Sequence, residues 1–246
     1  MSVVAEGTVR SLHRWPVKSM AGEQVEALRV DGRGAGGDRT HALFDEFKGA
    51  PRRCTVRQVP RLLAWQARYA TPGAELDPAD PPEPELTAPD GRRFDWTDPE
   101  LPAALAADLG RPVALRRDLR GQQDLNDTVL LTTQATLDAL GEALGRALDL
   151  RRFRTNVHVV LDAPAFAEEE WQGRRLRIGD AELALLHPCE RCVIPTRDPD
   201  SGARDAEILR WLARAHRTLF GINARPLGAG LLRDGDAVVV RGGGPD

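Results

Sequence analysis

Residues 187–202 read HPCERCVIPTRDPDSG, and their two cysteines, Cys189 and Cys192, stand three apart at the edge of a turn-rich loop. A thiolate is both a nucleophile and a metal ligand, so the pair admits several chemistries. A structural zinc site needs four ligands, usually two such pairs. The other candidates are Cys54 and five scattered histidines, none of which forms a second paired knuckle. A redox dithiol sits at a helix N-terminus, but Pro195 and the DPDSG turn oppose a helix directly after Cys192. Two thiols buried in a core strand are a further reading, although Glu190 and Arg191 flank the pair with charge that suits a loop mouth. A single thiolate can also ligate a soft metal such as molybdenum, with the remaining coordination supplied by an organic cofactor.

A cofactor of that kind carries a phosphate, so the chain should also offer an anion cradle, and it contains the parts of one. Lys18 and Ser19 lie in a Pro-held loop, WPVKS, with exposed backbone N–H groups and two side-chain donors. Arg39 follows a glycine-rich turn, GRGAGGD. Arg154 and Asn156, in RFRTN, are two apart, so on a strand both side chains would point to one face. Thr128, Thr132 and Thr133 precede a helical stretch whose N-terminus is an anion site. Each of these alone describes an ordinary loop or solvated face; their conjunction with the cysteine loop is what points to a bound anionic cofactor.

The elements that must position these residues are mostly strands. Alternating apolar and polar residues predict strands over 3–13, 23–30 and 39–44, and residues 59–70 suit helix or strand equally. The stretch 71–90 is dominated by Pro and acidic residues and reads as an exposed loop within one barrel. Residues 101–109 read as a short helix. The clearest helix is 133–148, with Leu137, Leu140, Leu144 and Leu148 on one stripe and Thr132 or Thr133 as its cap. A buried strand at FRTNVHVVLD, a two-strand unit ending in the cysteine loop, a helix over 204–217 and two closing strands complete the chain. No regular βαβ alternation and no internal repeat appears. The fold class expected is mainly β with α, an α+β arrangement built on β-barrels.

With 246 residues and 41% hydrophobic content, the chain can build one large domain or two small ones. A net charge of −3 gives no global field for nucleic acid or an anionic membrane. No apolar stretch is long enough to span a bilayer, and no charged-then-apolar leader opens the sequence, so the expectation is a cytoplasmic protein. Three cysteines are too few for a disulfide framework. Only Lys18 and Lys48 are lysines among 34 basic residues. Coding bias explains most of the arginines and makes a retained Lys18 more notable.

Several of these segments resemble the MOSC proteins, the molybdenum cofactor sulfurase C-terminal family. WPVKSMAGE is similar to the YPVKS signature that opens that family's N-terminal barrel, and GDRTHALFD to its GDR-plus-strand segment. LLTTQATLDAL, RRFRTN, and HPCERCVIPTRDPDSG followed by FGINA resemble the MOSC domain in order and spacing. The resemblance covers about Val3 to Val240 and implies an N-terminal β-barrel-like domain over 1–120 and a β-barrel MOSC domain over 121–246.

The resemblance further implies a relative of the amidoxime-reducing enzymes, which hold a pyranopterin molybdenum cofactor on a protein cysteine and reduce N-hydroxylated compounds. By position the metal ligand is Cys192, and the cofactor's phosphate and pterin fall to Lys18, Ser19, Arg39, Arg154 and Asn156, with Thr128 a looser match. Departures are Trp15 for the usual tyrosine, Thr155 for the proline of RPN, and Pro195 and Arg197 in place of the TTVDP pattern. With no four-cysteine iron–sulfur cluster in the sequence, electrons would come from a separate protein such as a ferredoxin, a flavodoxin or a similar reductase. The rivals are a carrier holding sulfur as a persulfide on the cysteine loop and a non-catalytic binder of cofactor or anion. Family members fused to desulfurase-like domains suggest the carrier, but this sequence has no pyridoxal phosphate-binding domain.

Overall fold

The computed structural model describes residues 2–118 and 128–242; the expected domain boundary at 120/121 lies outside the described residues. In chain order the strands of the first half are β1 (Val3–Arg14), β2 (Glu23–Val25), β3 (Ala27–Asp31), β4 (Gly34–Ala35), β5 (His41–Phe47), β6 (Ala50–Arg53), β7 (Gln66–Arg68), β8 (Glu85–Thr87) and β9 (Arg93–Asp95). Helix α1 (Leu101–Leu109) and β10 (Ala114–Arg117) come next. The second half holds β11 (Val129–Thr133), α2 (Gln134–Ala143), β12 (Val157–Leu161), β13 (Arg175–Ile178), β14 (Ala181–Glu190), α3 (Glu207–Ala215), β15 (Leu219–Pro226), β16 (Gly230–Arg233) and β17 (Ala237–Arg241).

Seven strands close a mixed barrel in the order β12, β11, β15, β14, β13, β17, β1, with β1 returning to β12. Only the β11–β12 pair within it is parallel; the others are antiparallel. β1 supplies a stave from the far end of the sequence, pairing Leu12 with Val157 on one side and Glu6 with Val239 on the other. Its inward residues Val9 and Leu12 join Val129, Val157, Leu183 and Val238 in the barrel core. All five residues of β11 are buried, because one face lines the barrel and α2 covers the other.

A second core lies in the first half, where Val17, Leu43, Leu62, Trp65, Phe94 and Leu101 pack together. Two three-stranded sheets, β10–β5–β6 and β7–β8–β9, surround it. A third cluster, with Leu137, Leu140, Ile208 and Leu212, places α2 and α3 outside the barrel over the stacked rings of Phe153 and Phe220.

Several sequence expectations shift by local geometry. The strand expected over 23–30 breaks into β2 and β3 at Glu26. Residues 59–70 resolve into a 3-10 turn over Pro60–Ala64 and then β7. The acidic, proline-rich stretch is not wholly an exposed loop: Leu76 and Leu86 are buried and β8 lies at its end. The long helix stops at Ala143, where Gly145 takes a left-handed φ of 67°. Its cap is Thr133, whose Oγ1 accepts from Thr136 N at 3.2 Å.

Candidate functional site

The site grows from the loop after β1. Trp15 anchors its start: the peptide N–H donates to Asp38 Oδ1 at 2.8 Å and the indole Nε1 to the Thr155 carbonyl at 2.9 Å. One residue thus ties the VKS loop to the GDR turn and to the segment after Arg154. Gly22 has no room for a side chain, since a Cβ there would lie 2.7 Å from the Trp15 ring. Gly37, in the GDR turn, takes a φ of 73° and its carbonyl accepts from the Tyr69 hydroxyl at 2.9 Å.

Ser19, Arg39 and Arg154 all adopt left-handed backbone, with φ of 72°, 52° and 52°. A residue with a Cβ holds this conformation only where its surroundings impose it, and such residues gather at functional sites. Here the impositions are visible. Lys18 N donates to the His41 carbonyl at 2.8 Å, and Ser19 Oγ accepts from Val56 N at 3.3 Å. Arg39 N donates to the Trp15 carbonyl at 2.7 Å, and its guanidinium pairs with Asp38. Arg154 Nη1 donates to the Met20 carbonyl at 2.6 Å, and its guanidinium lies 4.3 Å from the centre of the Trp15 ring. The Lys18–Ser19 loop, Arg39 and Arg154 therefore converge, although they come from three distant stretches of chain.

The cysteine loop is fastened to the same place by two arginines. Arg152 Nη2 donates to Asp198 Oδ2 at 2.7 Å, and Arg191 Nη2 to the Phe153 carbonyl at 2.6 Å. Cys189 and Cys192 are both free and half-buried. Cys189 Sγ accepts from Arg191 Nη1 at 3.2 Å. After Cys192 the chain enters a 3-10 turn over Ile194–Thr196 and the Asp198 turn, not an α-helix. Cys54 is fully buried in the core of the first half, and burial pushes its thiol pKa up. Among the described residues no three His, Cys, Asp or Glu side chains are grouped to hold a metal ion.

Two sequence expectations change. Arg154 does not share a strand face with Asn156; it ends a 3-10 turn at 150–153, and β12 begins only at Val157. Asn156 is fully buried, and its side chain is spent on the backbone: Oδ1 accepts from Leu130 N at 3.0 Å and Nδ2 donates to the His13 carbonyl at 3.3 Å. It clamps β11 to β1. The N-terminus of α2 is likewise already served from within, because buried Glu168 accepts from Thr136 Oγ1 at 2.9 Å. Thr132 bonds Thr155 and His158, and Thr128 is buried at the start of β11.

Beside the convergence lies a cavity of about 830 Å³, with His13, Trp15, Glu23, Arg151, Arg154 and Asp200 among its walls. Neither cysteine lines it; Trp15 and Arg154 are its link to the site. Burial depresses the His13 pKa to about 4 and raises that of Glu23 against the pull of Arg14. The roles of Asp38, Arg152, Arg191 and Glu168 carry no local sequence signal, since arginines and acids are spread throughout the chain.

Comparison with known proteins bears on this arrangement. A family profile described as MOSC domain matches residues 118–239, and one described as MOSC N-terminal beta barrel domain matches residues 6–93. Mitochondrial amidoxime reducing component 2 of Homo sapiens is 31% identical over 123 residues, 45% of this chain and 36% of the relative. Mitochondrial amidoxime-reducing component 1 of Danio rerio is 38% identical over 74 residues, 30% and 22% respectively. Molybdenum cofactor sulfurase of Danio rerio is 26% identical over 264 residues, 87% and 31% respectively. The matched stretches thus span little more than a third of these relatives' own length at most. Among solved structures, the YUAD protein from Bacillus subtilis aligns with 97% of this chain and 98% of its own, at a TM-score of 0.47 and 11% identity.

Proposed function

The chain belongs to the MOSC family, and from that premise we propose that it binds a molybdenum cofactor and reduces N-hydroxylated compounds, such as hydroxylamines, amidoximes and N-oxides, with electrons from a separate protein. The observation that carries this reading is the attachment of the Cys192 loop, through Arg191 and Arg152, to the segment leading into Arg154, which in turn meets the Lys18–Ser19 loop and Arg39. The segments that carry a soft ligand and three cations are thereby tied together, as a site for a phosphate-bearing metal cofactor would need.

The residues fit such a group on a further count. Arg191 Nε is buried with no protein acceptor, so a guanidinium one residue from Cys192 keeps a donor for a ligand. In this reading Cys192 is the metal ligand. Lys18, Arg39 and Arg154 hold the anionic part of the cofactor, and Ser19 shapes the loop that presents them. Asn156 acts one step removed, by fixing β11 and β1 beneath the cradle, and Thr128 shapes its β11 edge. The bound cofactor would supply two-electron removal of oxygen from nitrogen; the chain would supply anchorage and charge, with Trp15 beside Arg154.

The deciding experiment is metal and pterin analysis of protein made in a molybdate-fed host competent to make the cofactor. Molybdenum near one per chain, with pterin, is expected, together with reduction of benzamidoxime by a reduced dye. Cys192→Ser is expected to lose at least nine-tenths of the metal. Protein that holds zinc or no metal under these conditions sinks the proposal. One observation favours a second reading, a persulfide carrier: the relative aligned over 87% of this chain is a molybdenum cofactor sulfurase. Mass analysis of the Cys192 peptide for an added sulfur separates the two.

A further inference from the structure

We propose that Arg191 is the positioning residue that registers the metal-binding cysteine against the cofactor cradle, and that Cys189 serves as its acceptor, neither a second metal ligand nor a disulfide partner. The proposal rests on the cofactor reading above.

The geometry is that of a fork with two tines engaged. Nη2 donates to the carbonyl of Phe153 at 2.6 Å and Nη1 to Cys189 Sγ at 3.2 Å. Phe153 immediately precedes Arg154, and Arg191 immediately precedes Cys192. One side chain therefore joins the neighbour of the proposed ligand to the neighbour of a cradle cation, across 38 positions of sequence. The guanidinium also lies 5.8 Å from the centre of the Phe153 ring, which is itself stacked on Phe220 in the helix-covered core.

The other end of the strut is equally held. The peptide N–H of Arg191 donates to the Thr218 carbonyl at 2.8 Å. Arg217 and Thr218 are consecutive non-glycine residues in the left-handed region, with φ of 52° and 66°, a conformation that persists only under constraint. The bend they make delivers that carbonyl to Arg191 where β14 and β15 lose regular register, between Pro188 and Glu190. The β14–β15 pairing resumes at Glu190 with Leu219, so the backbone of Arg191 is fixed at the ladder's end while its side chain reaches Phe153.

The chemistry of the parts is specific. A planar guanidinium can serve two acceptors at fixed separation, whereas a lysine ammonium is a point donor and reaches one of them. Sulfur accepts from it, and so would a serine oxygen, but an alanine methyl would not. Cys189, thus engaged, is set apart from Cys192 by function although the motif makes them look equivalent.

The test uses full-length Arg191→Lys, Cys189→Ser and Cys189→Ala proteins in two measurements. The first is hydrogen–deuterium exchange on cofactor-free protein. Arg191→Lys is expected to speed exchange at least ten-fold both in residues 187–197 and in residues 150–156, while Cys189→Ser leaves both within two-fold. A change confined to 187–197 overturns the tie between the two segments. The second is molybdenum content from a cofactor-competent host, with the electron paramagnetic resonance signal of the loaded protein. Arg191→Lys is expected to lose most of its metal, Cys189→Ser to retain it within two-fold with an unaltered signal, and Cys189→Ala to lose no more than three-fold. Loss in Cys189→Ser as complete as in Cys192→Ser, or a changed signal, overturns the acceptor role. If Arg191→Lys does not fold, Arg191→Gln takes its place in the exchange arm, since it shortens the side chain and removes the fork; exchange unchanged in residues 150–156 then counts against the strut. Wild-type protein without molybdenum defeats the cofactor reading, while the exchange measurement still judges the strut.

Discussion

Arg39 Nη2 donates to the backbone carbonyl of Arg154 at 3.1 Å, joining two residues 115 positions apart that share the same left-handed φ of 52°. The Arg39 guanidinium is thereby tied to the backbone of a second buried arginine, whose own guanidinium turns to the Met20 carbonyl, while Asp38, fully buried, supplies Arg39 with a countercharge. The bond ties the first half of the chain to the second.

Asp38 is consequently the residue whose loss should be felt most. Asp38→Ala leaves the Arg39 charge buried without its carboxylate and removes the acceptor of Trp15 N–H. We expect a loss of about 3–5 kcal/mol in unfolding free energy, read from urea denaturation. A loss of less than 1 kcal/mol, about the worth of an exposed ion pair, would show that the pair is solvated in solution.

Asn156→Ala separates structural from ligand roles. It abandons the Leu130 N–H and the His13 carbonyl in a fully buried site, at a cost of about 2–4 kcal/mol. Denaturation of the cofactor-free protein should show the whole effect. Unchanged stability accompanied by poor cofactor retention would make Asn156 a direct contact.

Acid should destabilise the protein through its histidines. Burial holds His13, His41 and His158 at pKa values of about 4, against 6.5 ordinarily. These folded-state values are depressed, so the stability they contribute is complete above pH 6.5 and is lost as pH falls toward 4. Each ring accounts for about 3 kcal/mol at most over that window. His158→Gln, which keeps a polar partner for Thr132, should flatten the fall between pH 6.5 and 4.5 measured by urea midpoints. A fall of the same depth would exonerate that ring.

Glu168 has the opposite sign. Burial raises its pKa to about 7, and its Oε1 has no hydrogen-bond partner. A carboxyl raised in the folded state favours folding below its unfolded value, and that benefit is lost as pH rises through 7. Glu168→Gln should therefore gain on the wild type by about 3 kcal/mol between pH 4.5 and 7.5. A difference that stays flat across this range would mean the carboxyl is solvated.

How far the sequence carries the fold depends on the range of the interactions involved. Local signals are sound: alternation, apolar spacing and a hydroxyl before a helix suffice for β1, α1 and the Thr133 cap. Closure of the barrel is not legible, because the pairing of Val3 with Arg241 leaves no trace in either segment alone. At the site, Lys18, Ser19 and Arg39 are legible as donors in glycine- or proline-held turns, whereas Arg154, expected on a strand face, reaches the VKS loop from the end of a 3-10 turn. Asn156 departs from expectation because the Arg154 backbone interrupts the strand periodicity that would have carried it to the same face. The helix terminus after Thr133 is not the open anion site its threonines suggest, because nothing at residue 136 announces Glu168, 32 positions later.

β1 runs directly into the loop that carries Lys18, and it is held on one edge by β17, which ends at Arg241. The loop after β1 therefore waits for β17, and the contacts that complete its support are among the longest in sequence, a topology that folds slowly. Until residue 241 has emerged from the exit tunnel, the VKS loop has no barrel to stand on. Any ligand that needs this loop in its final place therefore binds only after β17 has been made and the barrel has closed.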